Sequence, residues 1–197
     1  MSSEATDLSP PVLLVAMPQI QDPFFRQSVV LLVDHQPEGS FGLILNRPTE
    51  LSVAEVLSGL DIEWGGGEDS MTHFGGPVQP QLGTVLFDPA AISLENPDDT
   101  VLALYEGVAL TQHIGDLGRI AATPPTCFRL LLGYAGWGEG QLDEELVRND
   151  WLLAPLSVEL LFAADSASIW RRTLASIEVE PENLPAAPGD GGGDSVN

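Results

Sequence analysis

Residues 28–45 read SVVLLVDHQPEGSFGLIL, which is two apolar runs joined by a short polar segment. Residues 28–33 and 41–45 have the length and branching of buried strands rather than of helices. The segment 37–40 between them consists of turn-forming residues, so the two runs are predicted to form an antiparallel hairpin. A further apolar run at residues 12–16 predicts a strand ahead of this hairpin.

Separate helices and more strands follow the hairpin. Ser52 and Glu55 have capping-box spacing and predict a short helix, whereas three glycines at 65–67 predict a loop. Strands are further predicted at residues 83–87, 101–104, 108–110, 127–132 and 158–162, and helices at 114–121, 141–148 and from a cap at Ser166. Because hairpins mix with separate helices instead of alternating with them, the sequence predicts an α+β fold with a mostly antiparallel sheet.

The chain of 197 residues has the size of one domain. We expect a flexible N-terminus at residues 1–10, a single domain over 11–182, and a disordered tail rich in Pro, Gly and Asp at 183–197. No apolar run approaches the ~20 residues that cross a bilayer. The first ten residues also lack the Lys or Arg of a secretory signal, so we expect a cytoplasmic location.

Charge excludes several classes of function. Seven basic residues, all of them Arg, stand against 29 acidic ones, for a net charge of −22. Without lysine there is no P-loop lysine, no Schiff base and no kinase-type lysine. The absence of a basic stripe disfavours direct binding to DNA or RNA. We also expect a salt-loving host, since salt screens the self-repulsion of so acidic a chain.

Catalytic and metal motifs are missing from the sequence. The three histidines and the single cysteine, Cys127, show no metal-ligand spacing, so neither a metal nor a cofactor is expected. No G-x-S-x-G elbow is present. The glycine-rich stretch 133–140 does not match a dinucleotide fingerprint. Its glycines are expected to let the backbone turn sharply and to let Trp137 pack closely. The alternative is that the stretch forms a ligand or partner site.

Three further segments carry candidate binding residues. His73, Gly75, Gly76 and Pro77 predict a sharp turn that presents a histidine and two backbone N–H groups, or simply a loop histidine. Arg26 and Arg47, at the edges of apolar runs, either receive a carboxylate or phosphate or pair with Asp or Glu. Gln141 and Glu145, four apart, border the apolar face of a predicted helix and line either a groove or a solvated edge.

Five blocks resemble the YqgE/AlgH family in order and spacing over about residues 11–177. They are residues 14–18, 22–29, 42–48, 74–78 and 133–142, of which the last, GYAGWGEGQL, is the most specific. The resemblance implies a bacterial cytoplasmic protein of α+β fold, with a bifurcated sheet partly closed into a small barrel and flanked by helices. It implies no reaction. The family is usually labelled a transcriptional regulator, and the AlgH name links it to regulation of alginate exopolysaccharide synthesis.

The leading hypothesis is a non-enzymatic binding or regulatory module that acts through a protein partner or a small effector. Its surface is predicted to combine Asn46 and Arg47, residues 73–77 and residues 137–145 around one groove. One alternative is a small-molecule enzyme in which Glu145 or His73 is the general base and the amides of residues 75–76 stabilise an anion. A second alternative, a DNA-binding regulator, is disfavoured by the net charge.

Overall fold

The computed structural model describes residues 8–94, 97–163 and 165–185. Within these residues, ten strands form one branched sheet. In chain order they are β1 (Val12–Ala16), β2 (Val29–Gln36), β3 (Gly39–Ile44), β4 (Pro48–Ser52), β5 (Met71–Phe74), β6 (Val78–Phe87), β7 (Val101–Tyr105), β8 (Val108–Thr111), β9 (Phe128–Gly138) and β10 (Trp151–Ala154). The α-helices are α1 (Val53–Ser58), α2 (Pro97–Thr100), α3 (Ile114–Ala122), α4 (Gln141–Val147), α5 (Val158–Leu161) and α6 (Ser166–Ser176).

The long strand β9 divides the sheet. Along one edge it pairs with β6. Along the other edge its first half runs parallel to β5, and its last four residues run antiparallel to β3. Beyond β3 follow β2, β1 and β10, and beyond β6 follow β8 and β7. The sheet curls into a half-barrel, so the predicted α+β class with a mostly antiparallel, bifurcated sheet is confirmed.

Gly133 lies where β9 changes its partner. Its φ of +71° is in the left-handed region, and a Cβ there would collide with the carbonyl oxygen of Gly76. Gly76 approaches β9 just as closely, since its own Cβ would meet the backbone of Tyr134. Glycine is therefore required at this crossing because two backbones touch without room for a side chain.

Both faces of the central strands are buried, which explains their continuous apolar runs. In β1, Leu13 and Val15 face a core cluster that includes residues of α5 and α6, while Leu14 faces a second cluster that includes Trp137 and Trp151. A third cluster lies between the sheet and helices α1 and α3. Each burial removes a whole aliphatic side chain from water, about 1.5–3 kcal/mol apiece.

Several local predictions are confirmed. The strands β1, β2 and β3 form where residues 12–16, 28–33 and 41–45 were expected to, and β2 and β3 form the hairpin. The capping box is complete: Ser52 Oγ accepts from the Glu55 N–H at 3.1 Å, and Glu55 Oε2 accepts from the Ser52 N–H at 2.8 Å. The Ser52 N–H and the Ser52 hydroxyl, which also donates to Glu55 Oε2 at 2.8 Å, lower the pKa of the Glu55 carboxyl. Helices α3 and α4 lie within one residue of their predicted bounds.

Three local predictions are wrong. Residues 158–162 are not a strand; they contain α5, because Ser157 Oγ accepts from the Leu160 N–H and starts a helical turn. Asp165, rather than Ser166, caps α6. The stretch 133–140 is mostly the end of β9 instead of a turn, and strand β10 was not predicted.

The predicted chain ends lie largely outside the described residues. Of the N-terminal segment 1–10, residue Leu8 is described and packs against the cluster that holds Trp137 and Trp151. Of the tail 183–197, a 3₁₀ turn at Pro181–Asn183 is followed by Leu184, which packs against the cluster of α5 and α6. Within the described ranges, no helix combines the length and the apolar character that a membrane span needs.

Candidate functional site

The carboxylate of Glu145 joins α4 to two strands. Its Oε2 accepts from the indole N–H of Trp137 in β9 and from that of Trp151 in β10, both at 2.8 Å. Its Oε1 accepts from Gln141 Nε2 at 2.9 Å, and Gln141 Oε1 in turn accepts from the backbone N–H of Gly138 at 3.1 Å. Since both indole rings are buried, Glu145 satisfies donors that would otherwise have no partner.

Trp137 also forms one wall of an open groove of about 580 Å³. The groove is lined mainly by the β2–β3 hairpin, together with Val78, Tyr134 and Gly136. Trp137, a candidate from the sequence, lines this groove, whereas the candidates Arg47, His73 and Glu145 do not. The three predicted segments therefore do not surround this groove together.

His73 faces the interior between β5 and α6. Its Nε2 lies 3.1 Å from Ser166 Oγ, and its Nδ1 is buried with no hydrogen-bond partner in the described chain. Burial, aided by the charge of Arg129, lowers the pKa of His73 to about 4, so the ring is neutral at pH 7. His73 and Glu145 share no contact, and thus the convergence that the enzyme alternative requires is not found among the described residues.

Arg129 is a buried cation that the sequence reasoning missed. Only 5% of its surface is exposed, and its guanidinium donates to the carbonyl oxygens of Leu45 and Ala163 at 2.5 and 2.7 Å. Burial lowers its pKa to about 10. The sequence did contain a sign of this buried charge, because Arg129 interrupts an apolar strand at a position that points inward. Its contacts tie β9 to the end of β3 and to the α5–α6 connection.

Asn46 and Arg47 hold the loop that precedes β2. Asn46 Oδ1 accepts from the Val29 N–H and its Nδ2 donates to the Gln27 carbonyl, each at 2.9 Å. Arg47 donates from Nη1 to the Asn46 carbonyl at 3.3 Å and from Nη2 to the Arg26 carbonyl. These two contacts leave three of the five guanidinium N–H groups of Arg47 without a described acceptor.

Arg26 adjoins Arg47, since its backbone carbonyl accepts from Arg47 Nη2. Burial, and then the charge of Arg26, lower the pKa of Arg47. No carboxylate within the described chain lies within 4 Å of either guanidinium. Other arginines have acidic partners: Arg148 with Asp150 at 2.8 Å, Arg171 with Glu182 at 4.0 Å, and Arg172 with Glu159 at 2.5 Å. The expectation that Arg26 and Arg47 pair with Asp or Glu is therefore wrong for the described residues.

Two phenylalanines adjoin this pair of arginines. The rings of Phe24 and Phe74 stack with centroids 5.4 Å apart, and Phe24 remains 45% exposed. Phe74 is held there because its N–H donates to the Arg47 carbonyl at 2.7 Å. We call the surface formed by Phe24, Arg26, Arg47 and Phe74 the arginine corner. It combines the aromatic and Arg side chains that are enriched at binding sites.

The segment 75–77 supports the arginine corner through its backbone. The Gly75 N–H donates to the Leu132 carbonyl at 2.7 Å, and the Gly75 carbonyl accepts from the Ile44 N–H at 2.8 Å. Gly75 therefore has no free N–H for an anion, contrary to the alternative in which the amides of residues 75–76 stabilise one. Pro77 is exposed and directly precedes β6.

Comparison with known proteins decides the family. A family model described as AlgH-like matches residues 13–182. The chain belongs to the AlgH-like family. A UPF0301 protein from Paracoccus denitrificans is 38% identical to this AlgH-like chain over 175 residues, which cover 86% of the chain and 90% of the relative. A UPF0301 protein from Alcanivorax borkumensis is 40% identical over 171 residues, or 85% of the chain and 88% of the relative.

A solved structure agrees with this assignment. The solution structure of the AlgH protein from Pseudomonas aeruginosa matches the AlgH-like chain with a TM-score of 0.72 and 33% identity. The match covers 91% of the chain and 94% of that protein. The resemblance inferred from the sequence is thus confirmed. In the described part of this AlgH-like chain, no group of three or more His, Cys, Asp or Glu side chains is arranged to hold a metal ion.

Proposed function

We propose that this AlgH-like chain is a non-enzymatic binding module of the regulatory kind, and that its arginine corner binds an anionic group of a small effector. The observation that carries the proposal is the pair Arg26 and Arg47: the Arg47 guanidinium bonds to the Arg26 carbonyl, the charge of Arg26 acts on it, and neither arginine has a carboxylate partner among the described residues, although the chain has 29 acidic residues. Two neighbouring like charges repel each other. A phosphate or carboxylate bound between them converts this repulsion into charge-assisted hydrogen bonds.

The surroundings of the pair favour a particular kind of effector. Arg47 is half-buried and held by two carbonyl oxygens, so its remaining donors are already oriented before a ligand arrives. Phe24 and Phe74 offer a flat apolar surface beside the charges. The proposed effector therefore carries an anionic group next to an apolar or aromatic part, as a nucleotide or an aromatic carboxylic acid does.

In this proposal any effect on transcription is indirect. A chain with a net charge of −22 repels the phosphates of DNA, and the arginine corner is too small to neutralise the several phosphates that a DNA site presents. The bound effector, or a protein partner that recognises the loaded form, then passes the signal on. An enzymatic role has less support, because His73 is buried against Ser166 while Glu145 is occupied by two indole groups.

The test is binding of defined anions to the purified chain. Thermal melting is followed with inorganic phosphate, nucleotides, sugar phosphates and aromatic carboxylic acids, each at matched ionic strength. A ligand at 100 times its Kd adds about 2.7 kcal/mol of stability, which raises the Tm by roughly 5–10 °C. Isothermal titration then gives the Kd of each hit.

A matched pair of variants locates the site. Arg26→Gln removes an exposed side chain with no described hydrogen bond or ion pair, so folding is retained and the Kd is expected to rise about 10-fold or more. Arg171→Gln removes the same charge from an exposed, 4.0 Å ion pair on α6 and should leave the Kd unchanged. Equal effects of the two variants, or a panel without any hit, would contradict the proposal. A gel shift with DNA at low salt would favour the DNA-binding alternative instead.

A further inference from the structure

Strand β7 ends one side of the sheet. Its inner edge pairs antiparallel with β8, with Val101 opposite Thr111 and Ala103 opposite Ala109. No strand in the described residues pairs with its outer edge. Along that edge, alternate N–H and C=O groups of a strand point outward, where an added strand can bond to them.

The outer edge of β7 lacks two of the usual protections. Its five residues, Val-Leu-Ala-Leu-Tyr, include no charge and no proline, although the strand has a register shift between Ala103 and Tyr105. Leu102 is 49% exposed and Tyr105 is 54% exposed. They lie opposite Leu110 and Val108, which are two residues apart in β8, so both side chains are on the same face of the sheet. The two other terminal strands differ. The first and last residues of β10 are buried and Pro155 follows it at once, and β4 contains Pro48 and Glu50.

Acidic side chains stand at both ends of this apolar edge. Asp99 precedes β7 and Glu106 follows it, and both are exposed. An arriving strand therefore meets uncharged backbone and apolar side chains in the middle and a negative charge at each end. Charge complementarity of this kind favours a strand with cationic ends and selects against one with acidic ends.

We propose that the outer edge of β7 binds an extended, apolar segment of a partner protein that carries Lys or Arg at both ends. The segment adds one strand to the sheet. Its backbone bonds to the free groups of β7, its side chains on one face cover Leu102 and Tyr105, and its cationic ends lie beside Asp99 and Glu106. This interaction does not use the arginine corner, so either proposal can fail without the other.

Two other occupants fit the edge less well. A second copy paired antiparallel about Ala103 would place Glu106 of each chain close to Asp99 of the other at both ends, and each chain carries a net charge of −22. The chain's own terminal residues, 1–7 and 186–197, contain acidic residues and no Lys or Arg. A basic-ended partner segment is the occupant with opposite charge.

The experiment uses three synthetic peptides and the full chain labelled with ¹⁵N. The first peptide is Arg-Lys-Val-Thr-Val-Thr-Val-Lys-Arg, the second has Glu in place of each basic residue, and the third repeats the first with every valine and threonine N-methylated, so that neither edge keeps its central donors. We expect the first peptide to shift the amide signals of residues 101–105 and to slow their hydrogen exchange. The second should not bind, and the third should bind at least 10-fold more weakly, because it keeps the charges but loses backbone donors.

Charge-swapped variants test the ends of the site. Asp99→Lys with Glu106→Lys should reverse the preference, so that the acidic peptide binds and the basic one does not. Glu139→Lys with Glu180→Lys makes the same change in net charge at exposed positions outside β7 and should leave the preference intact. If the first swap disturbs the fold, Leu102→Lys with Tyr105→Lys serves instead and should abolish binding of the basic peptide.

Four results would overturn the proposal. If the N-methylated peptide bound as tightly as the first peptide, or if both charge-swapped variants lost the same amount of affinity for the basic peptide, the binding would be a general attraction of a basic peptide to an acidic protein. Amide shifts away from residues 101–105 would place the contact elsewhere. A dimer in sedimentation velocity without peptide, abolished by the Leu102→Lys and Tyr105→Lys changes, would make a second copy the occupant.

Discussion

Replacing Glu145 with alanine should destabilise the fold substantially. The change removes the acceptor of the Trp137 and Trp151 indole N–H groups, whose rings are only 6% and 4% exposed. A buried donor left without a partner costs about 1–3 kcal/mol. Because Glu145 itself is half-buried, some water can enter, which favours the lower half of that range for each indole. We expect a loss of about 3 kcal/mol in the free energy of unfolding, or roughly 6–12 °C in Tm.

Two companion variants separate this effect from a general loss of charge on α4. Glu145→Gln keeps an oxygen that can accept from the indoles but sets an amide nitrogen against Gln141 Nε2, so it should cost about 1 kcal/mol. Glu144→Ala removes an exposed carboxylate from the same helix and should stay within about 0.5 kcal/mol of the parent. Urea denaturation followed by tryptophan fluorescence measures all three. A Glu145→Ala protein as stable as Glu144→Ala would refute the assignment of Glu145 as a structural acceptor.

Three more outcomes are expected. Gly133→Ala should lower the free energy of unfolding by about 2 kcal/mol or more, because φ is +71° and the new Cβ meets Gly76. Gly118→Ala in α3, which has open space around it, should raise the free energy of unfolding by about 0.5–1 kcal/mol, and urea melts compare the two variants. Since the pKa of His73 falls from 6.5 in the unfolded chain to about 4 in the folded one, the unfolded chain binds more protons between these pH values. The free energy of unfolding should therefore drop as pH falls through that window, by up to about 1.4 kcal/mol per pH unit, and His73→Gln should flatten this slope in melts from pH 7 to 4. The Tm should rise from low to molar NaCl as the net charge of −22 is screened, and a flat curve would argue against a salt-adapted protein.

Local signals in the sequence predicted the elements that local contacts stabilise. The hairpin of β2 and β3, the capping box of α1 and the amphipathic helix α4 each depend on residues close together in the chain. The run 158–162 misled because a short apolar segment is compatible with a strand or a helix, and the cap at Ser157 decides between them. The course of β9 past Gly133 depends on a distant backbone at Gly76, which no local pattern reveals.

In the candidate site too, contacts within one segment were predictable from the sequence, whereas contacts between distant segments were not. Trp137, Gln141 and Glu145 were expected in one segment, and the structure joins them, but their shared partner Trp151 comes from β10, a strand the sequence did not indicate. The proximity of Arg26 and Arg47 depends on how two loops meet, since their positions are 21 residues apart. That neither guanidinium has a carboxylate partner in the described chain is likewise a property of the folded surface.

The position of β1 has a consequence for synthesis on the ribosome. Its five residues are made early, yet one of its two neighbours, β10, is made about 140 residues later, and the Trp170 indole that bonds the Ala16 carbonyl at 2.9 Å comes later still. At about 5–20 residues per second, the nascent strand waits many seconds with an open apolar edge. During that interval the early strands are a substrate for chaperones, and a stall before β10 would leave a chain prone to aggregate.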